Sequence, residues 1–220
     1  MIFCGSVVAG VILACGGDDK PSAQGAASPS ATATPTTAAA STAAASGSPA
    51  STTLTGKYFE PQITVTVPSS DWKTTLDTKN EFVLEQGRGA SGPEGGIAMF
   101  FPQTVYDALD GITKEAPPAD LVAWVKTNHA LNVVAEEAAT IGGYPATRME
   151  IRGDSGDDIH LVQASDGTFN LSYNEHSDIY VLDAGGRQLL IISGPRLPTE
   201  YEKYVSAARP ILASIRFASP

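Results

Sequence analysis

The stretch Val133-Val134-Ala135-Glu136-Glu137-Ala138-Ala139-Thr140-Ile141-Gly142-Gly143-Tyr144-Pro145-Ala146-Thr147-Arg148-Met149-Glu150-Ile151 sets two β-rich runs on either side of a pair of glycines. Val133 to Ile141 and Thr147 to Ile151 read as strands, and Gly142-Gly143 as the turn between them. Two residues cannot carry a chain across a sheet, whereas a parallel connection needs a dozen or more, so these strands are antiparallel neighbours. The pattern continues with Ile159 to Ala164, the turn Asp166-Gly167, Phe169 to Tyr173, Ile179 to Asp183, the turn Gly185-Gly186 and Gln188 to Ser193. Glycine turns at this frequency predict an antiparallel sheet.

Upstream, Ile63-Thr64-Val65-Thr66-Val67 alternates apolar and polar as a half-buried strand does, and Pro68-Ser69-Ser70-Asp71 ends it. Trp72 is expected to close one end of the core. Glu81 to Glu85 and Gly96 to Phe101 read as two further strands joined by the glycine-rich loop Gly87 to Gly95. Pro117-Pro118-Ala119-Asp120 opens a helix whose stripe of Leu121, Val122, Ala123, Trp124 and Val125 is expected to pack on the sheet over about ten residues. Thr199 to Ser214 carries apolar residues three or four apart, among them Tyr201, Tyr204, Val205, Ala208, Ile211 and Leu212, with Ile215 next in the series, and predicts a C-terminal helix. Pro210 lacks an N–H and opposes the carbonyl four residues back, so a kink or break is expected there. The resulting expectation is an α+β domain with an antiparallel sheet of about seven or eight strands, packed by an inserted helix and a C-terminal helix.

The first 55 residues have a different character. Residues 2 to 14 are almost wholly apolar or small, and the run Val11-Ile12-Leu13-Ala14-Cys15-Gly16 ends in a small residue followed by cysteine. This order resembles the lipobox of bacterial lipoproteins, with Ile12, Leu13 and Ala14 in the three positions before Cys15. That resemblance implies a signal sequence at 1–14, cleavage before Cys15, and a lipid anchor, palmitate among its chains, on Cys15. The run is shorter than the roughly 20 residues a spanning helix needs. It departs from the usual signal pattern in having no lysine or arginine ahead of the apolar segment. From Pro21 to Thr55 the chain is dominated by Ala, Ser, Thr, Pro and Gly, with no aromatic residue and one large aliphatic residue, Leu54. Apolar burial there cannot offset the roughly 1 to 2 kcal/mol of backbone entropy lost per ordered residue. The expected organisation is therefore a signal at 1–14, a lipidated cysteine and disordered tether at 15–55, and one globular domain at 56–220. A flexible tether of about 38 residues spans roughly 30 to 37 Å between its ends.

Charge and cysteine content narrow the function. The chain has 220 residues and a formal net charge of -10. Residues from Gly56 onward carry 13 basic and 22 acidic side chains, a charge of -9. Such a surface repels phosphate, which disfavours nucleic acid and anionic lipid headgroups as direct partners. Cys4 and Cys15 are the two cysteines. With Cys4 lost to the signal and Cys15 capped, the domain has no disulfide, no thiol nucleophile and no thiolate metal site.

Several chemistry-bearing patterns also have plainer readings. Gly87-Arg88-Gly89-Ala90-Ser91-Gly92 spells G-x-G-x-x-G, but Pro93, Gly95 and Gly96 lead into a strand and no helix follows to grip a phosphate. Asp154, Asp157 and Asp158 with His160 nearby supply oxygen ligands for a hard cation, yet lack the alternation and terminal glutamate of a calcium loop, so a solvated acidic turn is expected, with weak metal binding as the alternative. Arg152-Gly153-Asp154 in that turn reads as coincidence. His129, His160 and His176 are the three histidines, and no serine sits in a G-x-S-x-G elbow. His176 with Glu175 and Asp178 can be drawn as a base and its orienter, but beside a turn it is expected to be exposed. Tyr58, Trp72, Phe100, Phe101 and Tyr106 can be drawn as an apolar ligand site between sheet and helix, with ordinary core as the plainer reading. No catalytic, cofactor-binding or metal residue is assigned, and no cofactor is expected.

Phe59-Glu60-Pro61 leading into an alternating strand, the Pro68-Ser69-Ser70-Asp71-Trp72 turn, Ile141-Gly142-Gly143-Tyr144-Pro145-Ala146, and the final run Ile211-Leu212-Ala213-Ser214-Ile215-Arg216-Phe217 together resemble bacterial lipoproteins with a PsbP-like domain. The resemblance covers most of residues 57–217 and rests on structural motifs. It implies a PsbP-like α/β sandwich and jobs that are mostly non-catalytic association, as in the extrinsic PsbP subunit of photosystem II and a Ran-binding nuclear transport factor. It transfers no functional residue, since fold alone does not imply function. The expected function is a lipid-anchored extracytoplasmic binding or assembly module for an envelope protein partner, not an enzyme. The alternatives are a carrier of an apolar small molecule and, behind it, a hydrolase.

Overall fold

The structure, a computed structural model, describes residues 51–87, 94–153, 159–164, 167–171 and 175–218. Cys15, the signal, all of the tether before residue 51, most of the G-x-G-x-x-G run, and Asp154, Asp157 and Asp158 lie outside the described residues. Fourteen strands and two α-helices are formed among the described residues. In chain order they are β1 Thr52–Gly56, β2 Ile63–Val67, β3 Trp72–Asp77, β4 Glu81–Gln86, β5 Gly95–Phe100, β6 Thr104–Tyr106, β7 Lys114–Glu115, α1 Leu121–Thr127 and β8 Leu131–Ile141. There follow β9 Tyr144–Gly153, β10 Ile159–Ala164, β11 Gly167–Leu171, β12 His176–Asp183, β13 Gln188–Pro195, α2 Tyr201–Ser214 and β14 Arg216–Phe217.

The quoted stretch forms the hairpin expected of it. Ile141 of β8 faces Tyr144 of β9 across Gly142 and Gly143, both at positive φ (61° and 88°), the conformation a two-residue turn needs to match strand twist. These strands end a seven-stranded sheet of order β3-β4-β5-β13-β12-β9-β8, antiparallel at every pairing. A three-stranded sheet, β1-β2-β14, and a four-stranded one, β11-β10-β6-β7, complete the chain. The α+β class and antiparallel sheet are as expected, while the single sheet becomes three.

Strand alternation divides the interior in two. Phe82, Leu84, Ile97, Met99, Leu189, Ile191, Tyr180 and Leu182 face one way and meet α2 and β2. Their neighbours Ala98, Phe100, Leu190, Ile192, Ile179 and Val181 face the other way and meet α1 and β10. Each face of the central sheet thus has its own apolar core, as period-two alternation requires of a strand buried on both sides.

Some expectations are corrected. The folded domain begins before residue 56, because Thr52–Gly56 pairs along the whole of β2. Backbone pairing and the half-buried Leu54, packed on the α2-side core, make a strand of polar residues. Trp72 is buried but also starts β3, and β6 and β7 were not foreseen. Helix α1 has seven residues and starts after the prolines, with Asp120 as its N-cap accepting the Ala123 N–H at 2.9 Å. α2 does not break at Pro210. Pro210 and Ser206, the residue whose carbonyl loses its helical partner, are both exposed, so water can satisfy that carbonyl.

Candidate functional site

On β9 the alternation Thr147-Arg148-Met149-Glu150-Ile151 turns Met149 and Ile151 to the α1-side core and leaves Arg148 and Glu150 on the opposite face. Register then brings their partners. Arg148 lies opposite Tyr180 and Glu150 opposite Asp178 on β12, while Glu137 of β8 lies opposite Arg148 from the other side. Tyr201, the first residue of α2, closes over them.

Asp178 is the centre of this cluster, 2% exposed. Its Oδ1 accepts from Arg148 Nη2 at 2.7 Å and from the Tyr201 hydroxyl at 2.7 Å. Arg148 Nη2 also donates to the Tyr201 oxygen at 3.1 Å, and Nη1 donates to Glu137 Oε1 at 2.8 Å. Glu150 Oε2 stands 3.9 Å from Arg148 Nη2, and its Oε1 is 2.7 Å from His176 Nε2. The His176 ring lies flat on Tyr201, with centroids 3.3 Å apart and planes at 12°. Deeper in, the Tyr204 hydroxyl donates to the Gly96 carbonyl at 2.6 Å and sits 3.3 Å from Ser193 Oγ.

Burial opposes the Arg148 charge, but the hydrogen bond to Asp178 and its negative charge outweigh it, so the guanidinium is held more firmly protonated than usual. The tyrosines respond to the same surroundings. Burial first, and then the Asp178 charge, pushes Tyr180 up to about 12. Burial, the hydrogen bond to Asp178 and the charges of Asp178 and Glu150 push Tyr201 well above the ordinary tyrosine range, and burial does the same for Tyr204. All three bind their protons more tightly folded than unfolded, so their contribution is complete below about pH 10 and is lost as pH rises towards the folded values. Stability is therefore expected to fall above about pH 10. A spectrophotometric titration run beside circular dichroism should show three phenols ionising only as the chain unfolds. Their ionisation in a chain still folded would count against this geometry.

Residues singled out from sequence are distributed differently from expectation. His176 is not exposed: β12 lies between β9 and β13 under α2, and the residue is 8% exposed. Its ring pairs with Glu150 rather than with Glu175 or Asp178. Asp178 does belong to the cluster, but through Arg148 and Tyr201. His160 lies on β10 with Nδ1 2.7 Å from Asn170 Oδ1, and His129 is exposed after α1. The five aromatic residues drawn as one ligand site are separated. Trp72 and Phe101 belong to the α2-side core, Phe100 to the α1-side core, and Tyr58 is 60% exposed. Consecutive Phe100 and Phe101 diverge because strand neighbours point to opposite faces. Arg148, Glu150 and Tyr201 were missed. Their signal was present as matching parity on β9 and β12, where charges of opposite sign and a tyrosine fall on the face α2 covers. Among the described residues no group of three or more His, Cys, Asp or Glu is placed to hold a metal ion. No helix among them is long and apolar enough to cross a membrane.

No family model and no curated protein matches the chain. Among solved structures the chain is similar to the solution structure of cyanobacterial PsbP (CyanoP) from Synechocystis sp. PCC 6803. The two are 12% identical over 81% of this chain and 99% of that one, with a TM-score of 0.43.

Proposed function

We propose that this chain is a lipid-anchored extracytoplasmic protein, tethered to the membrane through Cys15, and that its folded domain is a non-catalytic binding or assembly module for an envelope protein. The observation that carries this reading is the closure of the Arg148 cluster. Its acid, base and cation are bonded to one another beneath α2, and its central carboxylate is 2% exposed. General acid–base chemistry needs such groups within reach of a substrate proton. These groups instead stabilise one another and fasten the start of α2 to the sheet. A carrier of apolar molecules has less support, because the aromatic side chains fill two separate cores.

Native mass spectrometry of the chain before and after incubation with an extract of the parent organism's envelope tests the binding role. A protein-sized adduct is expected. An added mass of a few hundred daltons would replace the module by a carrier, and a bare chain under both conditions would remove the binding reading. The anchor has its own test: Cys15→Ala should abolish processing and detergent-phase partitioning, and a variant processed and partitioned normally would remove lipidation at Cys15.

A further inference from the structure

Leu109 and Ile112, 69% and 77% exposed, are the two most exposed large apolar side chains among the described residues. Both stand on the loop joining β6 to β7, at the rim of the four-stranded sheet. That loop is firmly built. Asp107 Oδ1 accepts the Leu109 and Asp110 N–H groups at 2.8 and 2.9 Å. Asp110 Oδ1 accepts those of Ile112 and Thr113, both at 2.8 Å, and its Oδ2 accepts the Thr113 hydroxyl at 2.6 Å. The Gly111 N–H donates to the Asp107 carbonyl at 2.9 Å. The base is fixed as well. Trp124 Nε1 donates to the Tyr106 carbonyl at 3.2 Å, and the His129 N–H donates to the Ala108 carbonyl at 2.8 Å.

Two consequences bear on binding. Side chains carried on an ordered backbone lose less conformational freedom on docking than those on a mobile one. Every backbone N–H from Leu109 to Thr113 already has an acceptor, so the tip can leave water without stranding a donor.

We infer that the 107–113 loop is a docking tip whose Leu109 and Ile112 side chains enter an apolar cleft, rimmed by lysine or arginine, on a protein partner. This rests on the binding-module reading and names the surface it uses. The charges choose the occupant. Asp110 lies between the two aliphatic residues, fully exposed, and the Thr113 hydroxyl with the Ile112 and Thr113 N–H groups holds its carboxyl below the usual carboxylate range. An ionised group between the inserting side chains is costly at hydrocarbon depth and is repelled by anionic headgroups. A second copy of this chain, at -10, presents the same sign. Lys114 at the loop base donates to Gln163 at 3.0 Å and lies over the Tyr106 ring. A basic rim complements Asp107 and Asp110 and orients the encounter.

The test places a benzophenone amino acid at position 109 or 112 of the full chain in cells of the parent organism, with positions 58 and 197 as exposed controls. The crosslinked protein is identified, purified and titrated against the unmodified full chain by calorimetry. The expected result is one protein crosslinked from 109 and 112 but not from the controls, through a cleft with an apolar floor and a basic rim. Its affinity should fall about tenfold or more for Leu109→Ser with Ile112→Ser, while the melting temperature stays unchanged, and should weaken with added salt. Crosslinks to lipid or to a second copy would overturn the proposal. A partner crosslinked from position 58 or 197 and indifferent to the double variant would remove the loop and leave the binding module standing. Absence of any protein crosslink from all four positions would remove both.

Discussion

Asp178→Ala is expected to lower folding stability by about 3 to 5 kcal/mol, the range for removing one partner of a buried ion pair. Its two short hydrogen bonds end at once, together with the longer one that the Tyr180 hydroxyl donates to Oδ2 at 3.5 Å. Arg148 Nη2 loses the carboxylate oxygen 2.7 Å away, and the Tyr201 hydroxyl loses its acceptor. The guanidinium then keeps only its bond to Glu137, whose side chain is 57% exposed, its bond to the Tyr201 oxygen, and the long contact to Glu150. Replacing both members, Arg148→Met with Asp178→Ala, should be milder than Asp178→Ala alone, because the guanidinium is then no longer left buried without its carboxylate. Urea unfolding of both singles and the double measures the difference as a coupling energy. Additive losses would show that the pair does not act as a unit.

Tyr204→Ala should be comparably severe, about 3 to 5 kcal/mol, and for a different reason. The ring is fully buried in the α2-side core. Its edge also lies against Gly95, where a Cβ would overlap it, so strand and helix are in direct contact there. Truncation leaves a cavity that backbone cannot easily fill. Tyr204→Phe keeps the ring and removes the hydroxyl bond to Gly96, and should cost about 1 to 2 kcal/mol. Equal losses for the two variants would place the stabilisation in the hydroxyl rather than the ring.

Antiparallel pairing was legible because it has a local cause: Gly142-Gly143 permits one kind of neighbour. The C-terminal helix was legible because Tyr201, Tyr204, Val205, Ala208, Ile211 and Leu212 recur at helical spacing, and all six are buried. Strand β1 was hidden because Thr52-Thr53-Leu54-Thr55 continues the composition of the tether, and only its pairing with β2 makes it a strand. The β6–β7 loop was overlooked although Asp107 and Asp110-Gly111 are turn signals, since the strands beside them are three and two residues long. The Arg148 cluster was the least accessible. A charge on alternate positions of a strand ordinarily marks the solvent face, and Arg148 and Glu150 fit that pattern. They are covered because α2, some 50 residues later in the chain, lays Tyr201 over them.

The closed cluster and the binding role meet in one comparison. Capture from envelope extract, read by native mass spectrometry, can be run on the wild-type chain and on a variant carrying Glu150→Gln with His176→Gln, each checked for its fold by near-ultraviolet circular dichroism. If these side chains fasten α2 to the sheet and contact between partners lies elsewhere, both chains will show the same protein-sized adduct. An adduct missing from the folded variant but present in the wild type would make the cluster itself the functional site and contradict this account.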